Sequence, residues 1–232
     1  MTKALLTMDD FATKNIPAIV DYLEEKHIPV ILFACGKNVE KHYDEAIYAI
    51  KKGIVVGNHS YSHPNFSHIS LEDGINEIKK CEEVLNKLYK DAGMPRRYRP
   101  FRFPYGDKGG DNKASLQKYL ADEGFDKVDD TAITYPWWKE NGLDRDIDTF
   151  WTFDFAEYNI RPDSGFTLDD VFKRMYDPSP KSGAPLFAPD CYNMILFHSH
   201  DETEEMVPEY YRVILDECLK NGVEFVEPKF IG

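Results

Sequence analysis

The 232-residue chain has no apolar run approaching the ~18 residues that a membrane span requires. It has only four cysteines, Cys35, Cys81, Cys191 and Cys218, and no two of them form a C-x-x-C pair, which excludes a zinc ribbon and a dithiol redox centre. All four read as small buried apolar residues. Basic residues are also scarce: 28 Lys and Arg against 41 Asp and Glu leave a net charge of -13, with no local cluster to offset it. That balance excludes nucleic acid and anionic membrane surfaces as partners and points to a neutral or cationic one. Internal repeats and low-complexity tracts are absent. The opening residues Met1-Thr2-Lys3-Ala4-Leu5-Leu6-Thr7-Met8 run at once into Asp9-Asp10, leaving no room for the apolar stretch of a signal peptide. The expectation is a cytoplasmic chain as written, or an extracellular or cell-wall one if the sequence is a trimmed piece of a longer protein.

What is present is an alternation. Leu5 to Met8 is a short apolar run, and Ile16, Ile19, Val20 and Leu23 recur at helical spacing after it. Val30-Ile31-Leu32-Phe33-Ala34 is apolar on both faces, as a parallel strand covered by helices would be. A helix through Tyr43, Ala46, Ile47 and Ile50 precedes a third strand, Ile54 to Gly57. Ser70 with Asp73 caps a long helix toward Tyr89, and Thr167 with Asp170 caps a shorter one through Met175. Tyr98 to Phe103, Phe125 to Val128, Thr149 to Phe153, Met194 to Phe197 and Val223 to Val226 supply the remaining strands. Seven or eight such units in an α/β chain point to a closed barrel more than an open sheet. The stretches 131–148 and 177–189 break the alternation and read as long loops, which in this architecture usually surround the site.

The polar residues then fall into a pattern. Asp9 and Asp10 follow strand one, and His59 and His63 follow strand three. Arg102, Asp154 and His198 end strands four, six and seven. In a parallel barrel these strand ends share one rim. Two histidines at i and i+4 with one carboxylate leave coordination positions open on a divalent metal, the pattern of a catalytic site. Asp9-Asp10 offers two carboxylates that cannot easily aim at one point, so one can ligate a metal while its neighbour accepts a proton. Arg102 lies between Phe101 and Phe103, either in an aromatic corner with its guanidinium in water or turned to the rim. His198 is a core-edge histidine or a general acid, and His200 is its rival. Tyr135, Trp137 and Trp138 form an aromatic loop able to stack on sugar rings.

Taken in order, Thr7-Met8-Asp9-Asp10, His59-Ser60-Tyr61-Ser62-His63, Arg102-Phe103-Pro104-Tyr105 and Leu196-Phe197-His198 resemble the motifs of the polysaccharide deacetylases, the NodB-homology or carbohydrate esterase family 4 group. The resemblance spans nearly the whole chain. It implies one deacetylase domain over 1–232 with a distorted (β/α)7 TIM-like barrel. It implies one divalent transition metal held by Asp10, His59 and His63, zinc first, with cobalt, nickel, manganese or iron as alternatives. It also implies Asp9 as general base, Arg102 holding Asp9, the Tyr105 backbone amide as oxyanion donor and His198 as general acid. The implied partner is an acetylated saccharide; oligomeric state is left open.

The chain departs from the family pattern in two of its motifs. Met8 stands where the family has phenylalanine, and Asp154-Phe155-Ala156-Glu157-Tyr158 stands where it has Asp-x-x-Asp-Trp, so the carboxylate beside His198 is either Asp154 or Glu157. The resulting expectation is a metal-dependent hydrolase removing N-acetyl groups from a saccharide. The rivals are an O-acetyl esterase or small-amide hydrolase on the same site, a non-catalytic carbohydrate-binding relative, and a mononuclear iron oxygenase, which also uses two histidines and a carboxylate.

Overall fold

The structure is a computed structural model and describes residues 2–231. The central strand is β1 (Thr2–Phe11), and β2 (Val30–Ala34), β3 (Val55–Asn58), β4 (Lys127–Val128), β5 (Phe153–Asp154), β6 (Tyr192–His198), β7 (Val223–Phe225) and β8 (Phe230–Ile231) follow in chain order. The main sheet runs β3-β2-β1-β6-β5, with β7 also paired to β1, and every pairing in it is parallel. Register places Asp9 beside His198 and Phe11 beside Ala34, which aligns the strand ends on one rim.

Beyond β3 the wall continues by a few isolated backbone bonds. Asn58 bridges to Phe101 in parallel, Thr149 N–H donates to Phe101 O at 2.7 Å, and Thr152 N–H donates to Met194 O of β6 at 2.8 Å. The ring therefore closes through residues 98–103 and 149–154, which is the distortion of this barrel. The strand expected over Tyr98 to Phe103 is reduced to one bridge, since Pro100 has no N–H to give a ladder. The strand expected at Phe125 to Val128 shrinks to β4, which pairs antiparallel with β8 outside the main sheet. The one expected at Thr149 to Phe153 shifts to β5.

Alternation along the strands sorts the two faces of the wall. The helices are α1 (Ile16–Glu25), α2 (Gly36–Lys41), α3 (Tyr43–Lys51), α4 (Leu71–Ala92), α5 (Lys113–Asp122), α6 (Pro136–Glu140), α7 (Leu168–Met175), α8 (Asp201–Met206) and α9 (Tyr210–Lys220). Ala4, Leu6, Met8, Leu32, Ala34, Ile195 and Phe197 pack outward with residues of α1, α3 and α9. Leu5, Ile31, Phe33 and Met194 point to the other face and pack with Ile133, Trp138 and Leu143. Those last three come from the 131–148 stretch, so this loop fills the strand-start end of the barrel and does not surround the rim. Ser70 caps the long α4 (Leu71–Ala92) by accepting from Asp73 N–H, and Thr167 and Asp170 form the expected capping box on α7 (Leu168–Met175). Among the described residues no helix is long and apolar enough to cross a membrane.

Candidate metal and catalytic site

The last residues of β1 separate the two aspartates. Pairing with β2 shifts register between Met8 and Phe11, and Asp10 adopts a left-handed backbone with φ 62°. Asp9 keeps the inward direction of Thr7, while Asp10 is released toward the rim. Asp9 is almost fully buried and pairs with Arg102, whose Nη1 donates to Asp9 Oδ1 at 2.8 Å and to Thr7 Oγ1 at 2.7 Å. Arg102 Nε donates to Thr149 O at 3.1 Å, and its guanidinium lies 4.4 Å from the Phe33 ring centre. The guanidinium is 0% exposed, so the reading that leaves it in water does not hold.

His59 and His63 sit on a loop whose backbone is fixed from α4. Asn58, fully buried, donates to Glu82 Oε1 and Ile78 O and accepts from Ser60 N–H. Glu77 accepts from the N–H groups of Tyr61 and Ser62. Ser60 and His63 take left-handed conformations, φ 67° and 61°, and Tyr105 and Ala156 do the same elsewhere on the rim. Such backbone costs on the order of 1–3 kcal/mol per residue and gathers at functional sites. Gly57 allows the close approach behind the loop, because a Cβ there would stand 2.7 Å from Pro100 O.

Donor atoms of Asp10 and His63 converge, while His59 stands farther off and outside the tightest grouping of donors. His59 Nδ1 lies 2.8 Å from Arg102 O, which can only accept, so Nδ1 carries the proton and Nε2 presents its lone pair. That Nε2 is 4.0 Å from Asp10 Oδ1 and 3.5 Å from Asp9 Oδ2, and His63 Nε2 is 3.3 Å from Asp10 Oδ1. Burial, with the neighbouring His59, pushes His63 down to about 4 and keeps it neutral. Asp10 is held well below the usual carboxylate range: burial opposes this, but the His200 hydrogen bond and the His63, His198 and His59 imidazoles outweigh it. Cys35 enters the same space. Its Sγ is 3.6 Å from Asp10 Oδ1, and Asp10, Cys35 and His63 offer donor atoms all within 4.8 Å of one another. Two cysteines thus depart from the expected reading: Cys35 is buried but faces a carboxylate, and Cys191 is half-buried and donates to Ala188 O.

At the other side of the constellation His198 meets Glu157. Glu157 Oε1 accepts from both His198 N–H at 2.6 Å and Nδ1 at 3.0 Å, and Glu157 is completely buried. Asp154 instead accepts from Ala156 N–H at 2.7 Å, fixing the left-handed turn at Ala156 that brings Glu157 back under the imidazole. Burial opposes charge on His198, but Glu157, Asp10 and Asp9 raise it to about 9. Asp154 is raised, first by burial and then by Glu157. The Tyr158 ring packs edge-on against His198, 4.6 Å between centres, and Tyr105 does so against His63 at 4.4 Å.

One cavity of about 390 Å³ brings together Asp9, Asp10, His59, His63, Tyr105, Asp154 and His198. Trp151, Tyr158, Arg161 and His200 also line it. Trp151 and Arg161 were not singled out from sequence; Trp151 reads there as a strand residue, and nothing local marks Arg161. Within the expected aromatic loop, Trp138 is a correction. Trp138 is 1% exposed and its Nε1 donates to Asp130 Oδ2 at 2.9 Å, so it cannot meet a sugar. Tyr135 reaches Asn193 at the start of β6, and Trp137 lines a neighbouring groove beside Phe150 and Trp151, not this cavity.

A parallel α/β barrel with carboxylates, two imidazoles and a carboxylate-bound histidine gathered on its rim is an arrangement suited to binding a divalent metal. Comparison with known proteins narrows it. The family described as "Polysaccharide deacetylase" matches residues 2–126. A peptidoglycan-N-acetylglucosamine deacetylase of Bacillus cereus is 37% identical over 103 residues, covering 44% of this chain and 36% of that protein. Chitin deacetylase 1 of Cryptococcus neoformans is 25% identical over 182 residues, covering 74% of this chain and 38% of that protein. The matched stretch is therefore little more than a third of either relative. The crystal structure of a peptidoglycan N-acetylglucosamine deacetylase superposes with a TM-score of 0.66 at 23% identity, covering 97% of this chain and 85% of that one. The chain belongs to the polysaccharide deacetylase family.

Proposed function

We propose that this protein removes N-acetyl groups from an acetylated saccharide by metal-assisted hydrolysis. The observation that carries the reading is that Asp9 held by Arg102 and His198 held by Glu157 open on the same cavity as Asp10, His59 and His63. Of these three, Asp10 and His63 stand at the spacing of two ligands on one divalent ion. Two ligands at about 2.1 Å with a near-tetrahedral angle stand about 3.3–3.4 Å apart, close to the 3.3 Å between His63 Nε2 and Asp10 Oδ1. The free Nε2 of His59, 4.0 Å from the same oxygen, can complete the set. Zinc is the first candidate, and when bound it would polarise the acetyl carbonyl and make nearby water more acidic.

The chain's own groups supply the proton transfers. Asp9, fixed by Arg102, accepts a proton from the attacking water as the water oxygen bonds to the carbonyl carbon. The Tyr105 backbone N–H is the proposed donor to the oxyanion. His198, protonated because Glu157 raises its proton affinity, gives a proton to the amine as the C–N bond breaks, releasing acetate and the free amine. Tyr158 and Trp151 line the cavity where the acetyl group is placed in this reading. The named relatives, a peptidoglycan-N-acetylglucosamine deacetylase and a chitin deacetylase, support N-acetylated polymers as the substrate class. The test is acetate release from N-acetylglucosamine oligomers and from O-acetylated xylan. Turnover of the oligomers is expected; release from xylan alone would transfer the site to the esterase reading, and release from neither would favour a non-catalytic relative.

A further inference from the structure

His200, the rival to His198 in the sequence, turns its ring toward Asp10. Its Nε2 lies 2.6 Å from Asp10 Oδ2, and its Nδ1 lies 3.2 Å from Arg161 Nη2. A guanidinium only donates, so His200 Nδ1 must accept, and the ring proton is left on Nε2, aimed at Asp10. Arg161 is itself fixed: its Nε donates to Tyr158 O at 2.7 Å and it pairs with Glu202. On the Asp10 side, Asn38 Nδ2 holds the backbone carbonyl at 2.9 Å. One carboxylate oxygen is thereby occupied by His200, and the other, Oδ1, is presented to His59, His63 and Cys35.

We propose that Arg161 and His200 form a relay that orients Asp10 toward the metal, with Arg161 setting the tautomer of His200 and His200 setting the rotamer of Asp10. His200 is a positioning residue in this account. Hydrogen bonds of this kind behind a metal-ligating side chain tune affinity, and their loss typically weakens metal binding ~10–100-fold. The inference rests on Asp10 being a metal ligand, as in the reading above.

The experiment is zinc titration of the metal-stripped full chain against a chromogenic chelator, which reads affinity without turnover. His200→Leu fills the space without a donor and is expected to bind zinc ~10–100-fold more weakly than the parent. His200→Gln keeps an N–H donor for Asp10 and should stay within a few-fold of the parent. Arg161→Met should fall between the two. Thermal unfolding of the metal-free variants gives a readout that a purely structural role would move and this role would not. Equal zinc affinity in the parent and His200→Leu would overturn the relay while leaving the metal site intact. A parent that binds no zinc at all would overturn the site reading and the relay with it.

Discussion

Glu157 Oε1 lies 3.0 Å from His198 Nδ1 and 2.6 Å from the backbone nitrogen of the same residue, in a pocket where Glu157 has no exposed surface. A single carboxylate oxygen thus fixes both the backbone and the ring of the proposed acid. The pair has a pH signature. His198 is raised in the folded chain to about 9 from an ordinary 6.5, so its stabilising contribution is fully present below 6.5 and is lost as pH rises through about 9. Denaturant unfolding of the metal-free protein should show a fall in stability across that window, up to ~3 kcal/mol from this pair. Glu157→Gln should flatten the fall and depress acetate release. An unchanged pH slope in that variant would separate Glu157 from the titration of His198.

Arg102 and Asp9 are buried together, so removing one leaves the other charge without compensation. Arg102→Met is expected to cost ~3–5 kcal/mol in urea unfolding, and adding Asp9→Asn should recover part of that loss. Asp9→Asn alone should keep zinc affinity while losing rate. If it loses neither zinc nor rate, the base is another group.

Trp138 and Trp151 separate packing from binding. Trp138→Ala should destabilise by ~3–5 kcal/mol and leave KM for the saccharide unchanged, because the side chain is buried under the barrel against Asp130. Trp151→Ala should raise KM with little change in stability, because Trp151 lines the site cavity. The reverse pattern would return the aromatic loop to the substrate.

Cys35 can be tested by its sulfur. Burial, with the Asp10 charge beside it, pushes this thiol well up, and its Sγ stands as a donor to Asp10 Oδ1. The cobalt-substituted protein should show d–d absorption with no thiolate charge-transfer band in the near ultraviolet, and Cys35→Ser should keep zinc affinity within a few-fold. An intense band that disappears in Cys35→Ser would make Cys35 a ligand.

The placement of the proposed ligand and acid–base residues was legible because each follows an apolar strand, and parallel pairing turns strand ends into one rim. Asp9 and His198 are in register, so that argument needed no side-chain geometry. Glu157 could not be told from Asp154, since the choice depends on a left-handed turn at Ala156, an unremarkable residue in sequence. The job of His200 was hidden for a different reason: its partner Asp10 is 190 positions away, and its tautomer is set by Arg161. The 131–148 stretch misled because Ile133, Trp138 and Leu143 are too sparse to read as an element, yet together they fill the end of a barrel whose inward residues leave that space.

The most direct measurement is acetate release from an N-acetylglucosamine oligomer by the metal-stripped chain, before and after one equivalent of zinc, beside His59→Ala treated in the same way. Negligible release is expected without metal, recovery with zinc in the parent, and neither zinc uptake nor recovery in His59→Ala. Full turnover by the stripped protein, or zinc-dependent turnover surviving in His59→Ala, would contradict that expectation.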